Sequence, residues 1–119
     1  LLDLRINERA RAMFDGGLVE EVEALIDQGI REGETAPRAI GYAQALAVID
    51  GTMSVPEAVD STALATRQLA SRQIKWFRRD PRLHWIDVAL TEAGQCTDSE
   101  RSRLTRQAWE LVCARRGVA

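Results

Sequence analysis

Only one run of this chain alternates as a β-strand does: LHWIDV, residues 83–88. A single short strand cannot make a sheet, because a strand is stabilised by partners on its edges. The rest of the 119 residues is spaced for helices. The fold class that follows is all-α, with 84–88 set aside as an edge strand completing a sheet built by chain outside this sequence.

The helical segments are punctuated clearly. LLDLRINERARAMF places Leu4, Ile6, Ala10, Met13 and Phe14 on a helix, and the DGG at 15–17 stops it. LVEEVEALIDQG follows, with Leu18, Val22, Leu25 and Ile26 forming one apolar stripe that ends at Gly29. IREGETAPR reads as a polar loop. Helical spacing resumes from about Pro37, through Ile40, Leu46 and Ile49, to Gly51. Ser54 and Glu57 have the spacing of a capping box, with Pro56 in the first turn, so SVPE opens a helix. That helix is expected to run to about Arg79, before Pro81. A last helix over about 99–115 is capped by Thr97 or Asp98, with Leu104, Trp109, Leu111 and Val112 apolar and a basic exposed face.

The length is that of one domain with a modest core. No apolar run approaches the roughly 20 residues of a membrane span. The chain has no signal-like opening, and it does not begin with Met, which points to a processed or excised piece. Cys96 and Cys113 stand apart, and His84 is the single histidine, so a four-ligand zinc site cannot be assembled. Two reduced cysteines suit a cytoplasmic protein.

The charge is unevenly placed. The chain has 16 basic and 18 acidic residues, yet residues 66–82, TRQLASRQIKWFRRDPR, hold six Lys or Arg and one acid, Asp80. On a helical wheel, Arg67, Arg72, Lys75, Arg78 and Arg79 share an arc of about 140°. Leu69, Ala70, Ile74, Trp76 and Phe77 occupy the opposite arc, so the two aromatics are expected in a core. Five cations on one face without a carboxylate repel one another unless an anion lies opposite. The face is either solvated and paired by other helices, or set against phosphates, for which Arg supplies bidentate geometry. Gln73 falls within the apolar arc, either as a satisfied structural amide or as a polar group in a substrate channel.

These stretches, taken together, resemble the C-terminal part of the tRNA dimethylallyltransferase (tRNA isopentenylpyrophosphate transferase) family. LRINERARAMF, GLVEEVEAL, AIGY, TRQLASRQIKW and the WID run stand in the family's order. The resemblance covers about residues 1–88, leaving 89–119 as an unassigned loop and helix. It implies an enzyme that transfers a dimethylallyl group from dimethylallyl diphosphate to N6 of the tRNA adenine just 3′ of the anticodon, on a core similar to P-loop kinases. The adenine must leave its stack to react. It implies that Arg5 binds the diphosphate, where a guanidinium fork meets phosphate oxygens; the residues alone favour a surface pair with Asp3, Asn7 or Glu8.

The resemblance also implies tRNA contacts from Arg38, Ala39, Ile40, Gly41, Tyr42 and Ala43, and from Arg67, Arg72, Gln73, Lys75, Arg78 and Arg79. Ser71 stands where the family often has Lys. No G-x-x-x-x-G-K-[ST] motif is present. The resemblance implies that the P-loop, Mg²⁺ and the catalytic Asp belong to an N-terminal half absent from this sequence. The partners expected are the tRNA anticodon stem-loop, dimethylallyl diphosphate and that missing half, without a membrane. The chain alone is expected to be inactive. The alternative is a stand-alone helical RNA-binding or interaction module.

Overall fold

Gly17 turns the chain between the first two helices with φ 98°, a left-handed conformation that only glycine adopts without strain. This lets α1 (Leu2–Asp15) hand over at once to α2 (Leu18–Ile26). The computed structural model describes residues 1–117. Two further α-helices, α3 (Tyr42–Ile49) and α4 (Val55–Arg78), complete the first part, and α5 (Asp98–Arg115) stands in the second. Short 3-10 turns at Ile30–Glu32 and Ala36–Arg38 occupy the stretch that reads as a polar loop. That stretch is anchored rather than loose. Ile30 is buried, and Arg31 grips the Asp50 carboxylate with both guanidinium nitrogens, at 2.7 and 3.2 Å.

The chain divides into two compact units, Leu1–Phe77 and Arg78–Ala119. In the first, Phe14, Leu18, Val22, Ala45, Leu46 and Ala58 form the core. They come from the apolar stripes of α1 to α4, so helical periodicity became burial here. α4 begins with the capping box. The Ser54 N–H donates to Glu57 Oε2 at 2.7 Å, and the Glu57 N–H donates to Ser54 Oγ at 3.3 Å. These bonds hold the Glu57 carboxyl below its ordinary range.

Two expectations need correction, the start of α3 and the burial of Trp76 and Phe77. The helix that was to resume near Pro37 starts only at Tyr42, because residues 39–41 are extended and then left-handed. The 84–88 run has no ladder partner among the described residues; the sheet it is expected to complete is one built by chain outside this sequence, and a strand exists through its ladder. Trp76 and Phe77 are not in a core. They are 65% and 40% exposed, touching each other edge to face with centroids 5.0 Å apart.

The second unit is organised by Glu100. Its carboxylate accepts from the Ala89 N–H at 2.9 Å and from Arg103 Nε at 2.8 Å. Arg103 also donates to the Asp87 carbonyl at 2.8 Å. α5 is capped by Thr97, whose Oγ1 accepts from the Glu100 N–H at 3.2 Å.

Candidate functional site

The first unit carries an apolar groove of about 370 Å³ between α1 and α4. Ile6, Ala10 and Met13 line it from α1, and Thr62, Thr66 and Leu69 from α4. Arg5 and Arg9, both exposed, also border it, which gives an apolar trough with a cationic edge. Thr62 is 3% exposed, and its hydroxyl has no hydrogen-bond partner among the described residues. Thr66 instead donates its hydroxyl back to the Thr62 carbonyl at 2.8 Å. A buried orphan hydroxyl beside an apolar trough is a costly arrangement unless something bonds it.

The 38–43 segment reaches the same groove through Ile40. Gly41, buried at φ 96°, is the pivot: a Cβ there would meet Met13 Cε at 3.1 Å. Its N–H donates to Gln44 Oε1 at 2.8 Å, and Gln44 reaches Ser61 Oγ on α4 at 3.4 Å. Tyr42 is committed elsewhere. Its phenol donates to the Glu21 carboxylate at 2.8 Å, which pushes the phenol pKa up. Arg38 and Ala39 are exposed, and Ala43 is half-buried.

Along α4, Arg72 and Lys75 are exposed, whereas Arg67 is half-buried and donates to Asn7 Oδ1 of α1 at 2.6 Å. Arg67 shares a small depression with Asn7, Arg11 and Asp60. Gln73, expected within a buried arc, is exposed, because nothing covers that part of α4 among the described residues. Arg78 closes the helix with its guanidinium 6.0 Å from the Trp85 ring, a cation–π distance. Arg79 follows, exposed. The structure thus brings Arg5 and Ile40 to one groove and sets Arg72 and Lys75 on a helix face. The sequence reading missed Arg9, Thr62 and Thr66. Their signal was the i,i+4 spacing of Arg5 with Arg9 and of Thr62 with Thr66.

The family model described as IPP transferase matches residues 1–80, which contain the groove and all of α4. The chain belongs to the IPP transferase family. Among curated relatives, the tRNA dimethylallyltransferase of Rhodococcus jostii is 58% identical over 96 residues, covering 81% of this chain and 31% of its own length. That of Mycobacterium tuberculosis is 46% identical over 114 residues, covering 93% of this chain and 35% of its own. Among solved structures, the full-length tRNA isopentenylpyrophosphate transferase of Bacillus halodurans superposes with a TM-score of 0.66 at 37% identity, over 72% of this chain and 28% of that one. The Staphylococcus epidermidis tRNA delta(2)-isopentenylpyrophosphate transferase gives 0.63 at 40% identity, over 71% and 28%. This IPP transferase chain spans about a third of the length of the curated relatives it matches.

Proposed function

We propose that this chain is the C-terminal helical part of a tRNA dimethylallyltransferase, supplying tRNA contacts and one diphosphate-binding arginine. The observation that carries the reading is the identity of 46–58% to relatives named for that activity. In the reaction, adenine N6 attacks C1 of dimethylallyl diphosphate, the C1–O bond breaks and diphosphate leaves, while N6 loses a proton. Arg5 would meet the negative charge that builds on the leaving oxygens. Its place beside an apolar groove supports this, since a short hydrocarbon with an anionic head needs both features.

The tRNA is read as meeting the Arg72 and Lys75 face of α4, with Arg67, Gln73, Arg78 and Arg79 carried over by resemblance. The 38–43 segment is placed on the same RNA. There the phenol of Tyr42 is held by the Glu21 carboxylate. Mg²⁺ is assigned to the rest of the enzyme. Among the described residues no group of three or more His, Cys, Asp or Glu is placed to hold a metal. The exposed apolar side chains Leu64, Leu69, Trp76 and Phe77 are read as packing on that remaining part. Among the described residues no helix is long and apolar enough to cross a membrane.

The test is prenyl transfer to an anticodon stem-loop by the chain alone and after addition of the N-terminal two-thirds of a full-length relative. Activity only on addition, with Arg5→Ala lowering it at least tenfold, is the expected result. Salt-dependent RNA binding without transfer in either case would replace this reading by the stand-alone RNA-binding module.

A further inference from the structure

α5 lies beyond the family match at 1–80, and its two faces differ sharply. On a wheel counted from Asp98, Glu100, Arg103, Leu104, Gln107 and Leu111 fall between about 140° and 240°. This is the anchored face: Glu100 and Arg103 are spent on Ala89 and Asp87, and Leu104, Gln107 and Leu111 are half-buried. The opposite arc, centred at about 20°, holds Arg101, Ser102, Thr105, Arg106, Trp109 and Arg116. Trp109 stands at its centre, 66% exposed, with Arg106 one turn before it. Asp98 is the acid of this arc, and its contact with Arg101, at 3.7 Å between highly exposed groups, is weak.

From this arrangement we infer that α5 is a second RNA-contacting element, with Trp109 stacking on an unpaired base while Arg101 and Arg106 meet the adjoining phosphates. Val112 and the half-buried Cys113 are the apolar companions of Trp109, and the other flanks are guanidinium and hydroxyl groups. A π-face between cations suits a flexible single strand, whose bases present faces and whose backbone carries charge. The inference rests on the proposed function for its choice of RNA, and the charge pattern stands without it.

The experiment measures binding of the whole chain to a labelled, unstructured oligoribonucleotide of about a dozen nucleotides and to an anticodon stem-loop. It compares Trp109→Ala, Trp109→Phe and the double reversal Arg101→Glu/Arg106→Glu with the α4 double reversal Arg72→Glu/Lys75→Glu. Trp109→Ala should weaken single-strand binding roughly tenfold, as removal of a stacking aromatic does. Trp109→Phe should restore most of it. The α5 reversal should flatten the log–log salt slope by about 1.4, for two phosphate contacts at about 0.7 each. Far-UV circular dichroism checks that α5 persists. Binding within twofold of the parent in all α5 variants, with loss in the α4 reversal, overturns the inference and leaves the proposed function standing. Loss in the α5 variants alone supports the inference and removes the α4 face from the proposed RNA contacts.

Discussion

Along α4, Ala58, Thr62 and Ala63 are buried, whereas Leu69, Trp76 and Phe77 are exposed, although all six lie within one arc of about 140°. The helix has 24 residues and is about 36 Å long, and the core of the first unit lies under its first half alone. The apolar pattern therefore continues past the material that buries it. Periodicity states which face of a helix seeks cover; it says nothing of how much cover is present. In this chain the excess face is where the remaining two-thirds of a full-length relative finds its seat under the proposed function.

Substitutions in the two halves should separate cleanly. Phe14→Ala, in the core beneath the first half, should lower unfolding stability by about 3–5 kcal/mol in a urea titration. A loss under about 1 kcal/mol would mean that the first half is no better supported than the second. Gly41→Ala combines a left-handed backbone with a 3.1 Å approach to Met13, and should destabilise by about 1–2 kcal/mol or more. Ser54→Ala removes one arm of the capping box that starts the supported half, at about 1 kcal/mol. Trp76→Ala, in the unsupported half, should change the stability of the isolated chain by no more than about 0.5 kcal/mol. A cost comparable to Phe14→Ala would show that the second half is covered in solution and would end the comparison.

The smallest effect concerns pH. Hydrogen bonds from Arg103, then from the Ala89 N–H, lower the Glu100 carboxyl to about 2. A carboxyl whose folded pKa is depressed contributes stability above its unfolded value of about 4.3 and loses it as pH falls toward the folded one. The tether of α5 to residues 87–89 should therefore hold at neutral pH and loosen between about pH 4 and pH 2. Circular dichroism and amide shifts of Ala89 would follow it. Glu100→Gln should be looser already at neutral pH and show little further change on acidification.

Much of the fold was legible in the sequence. The DGG stop, the Ser54–Glu57 box and the Thr97 cap are local rules, satisfied within a few residues, and each is found where the sequence put it. The late start of α3 was not legible, because it depends on Gly41 fitting against Met13, 28 positions away in the chain. The cationic face of α4 was visible as a pattern, but the hydrogen bond that ties Arg67 to Asn7 is a tertiary fact, and so is the withdrawal of Tyr42 toward Glu21. The spacing of Thr62 with Thr66 marks the pair but not which hydroxyl lacks a partner, since a threonine on a buried helix face usually bonds its own backbone, as Thr66 does.

The bond between Asn7 and Arg67 joins residues 60 positions apart, whereas the contacts of α1 with α2 are made across a two-residue turn. Closing a longer loop costs more chain entropy, so the near-neighbour helices should assemble first and α4 should dock on α1 last. The same order runs backwards when the protein breathes. α1 and α4 should part at lower free energy than α2 and α3, so their backbone amides should exchange with deuterium first. The groove would then be the region most easily opened in the native chain, which offers a flexible entry for a ligand without melting the core beneath it.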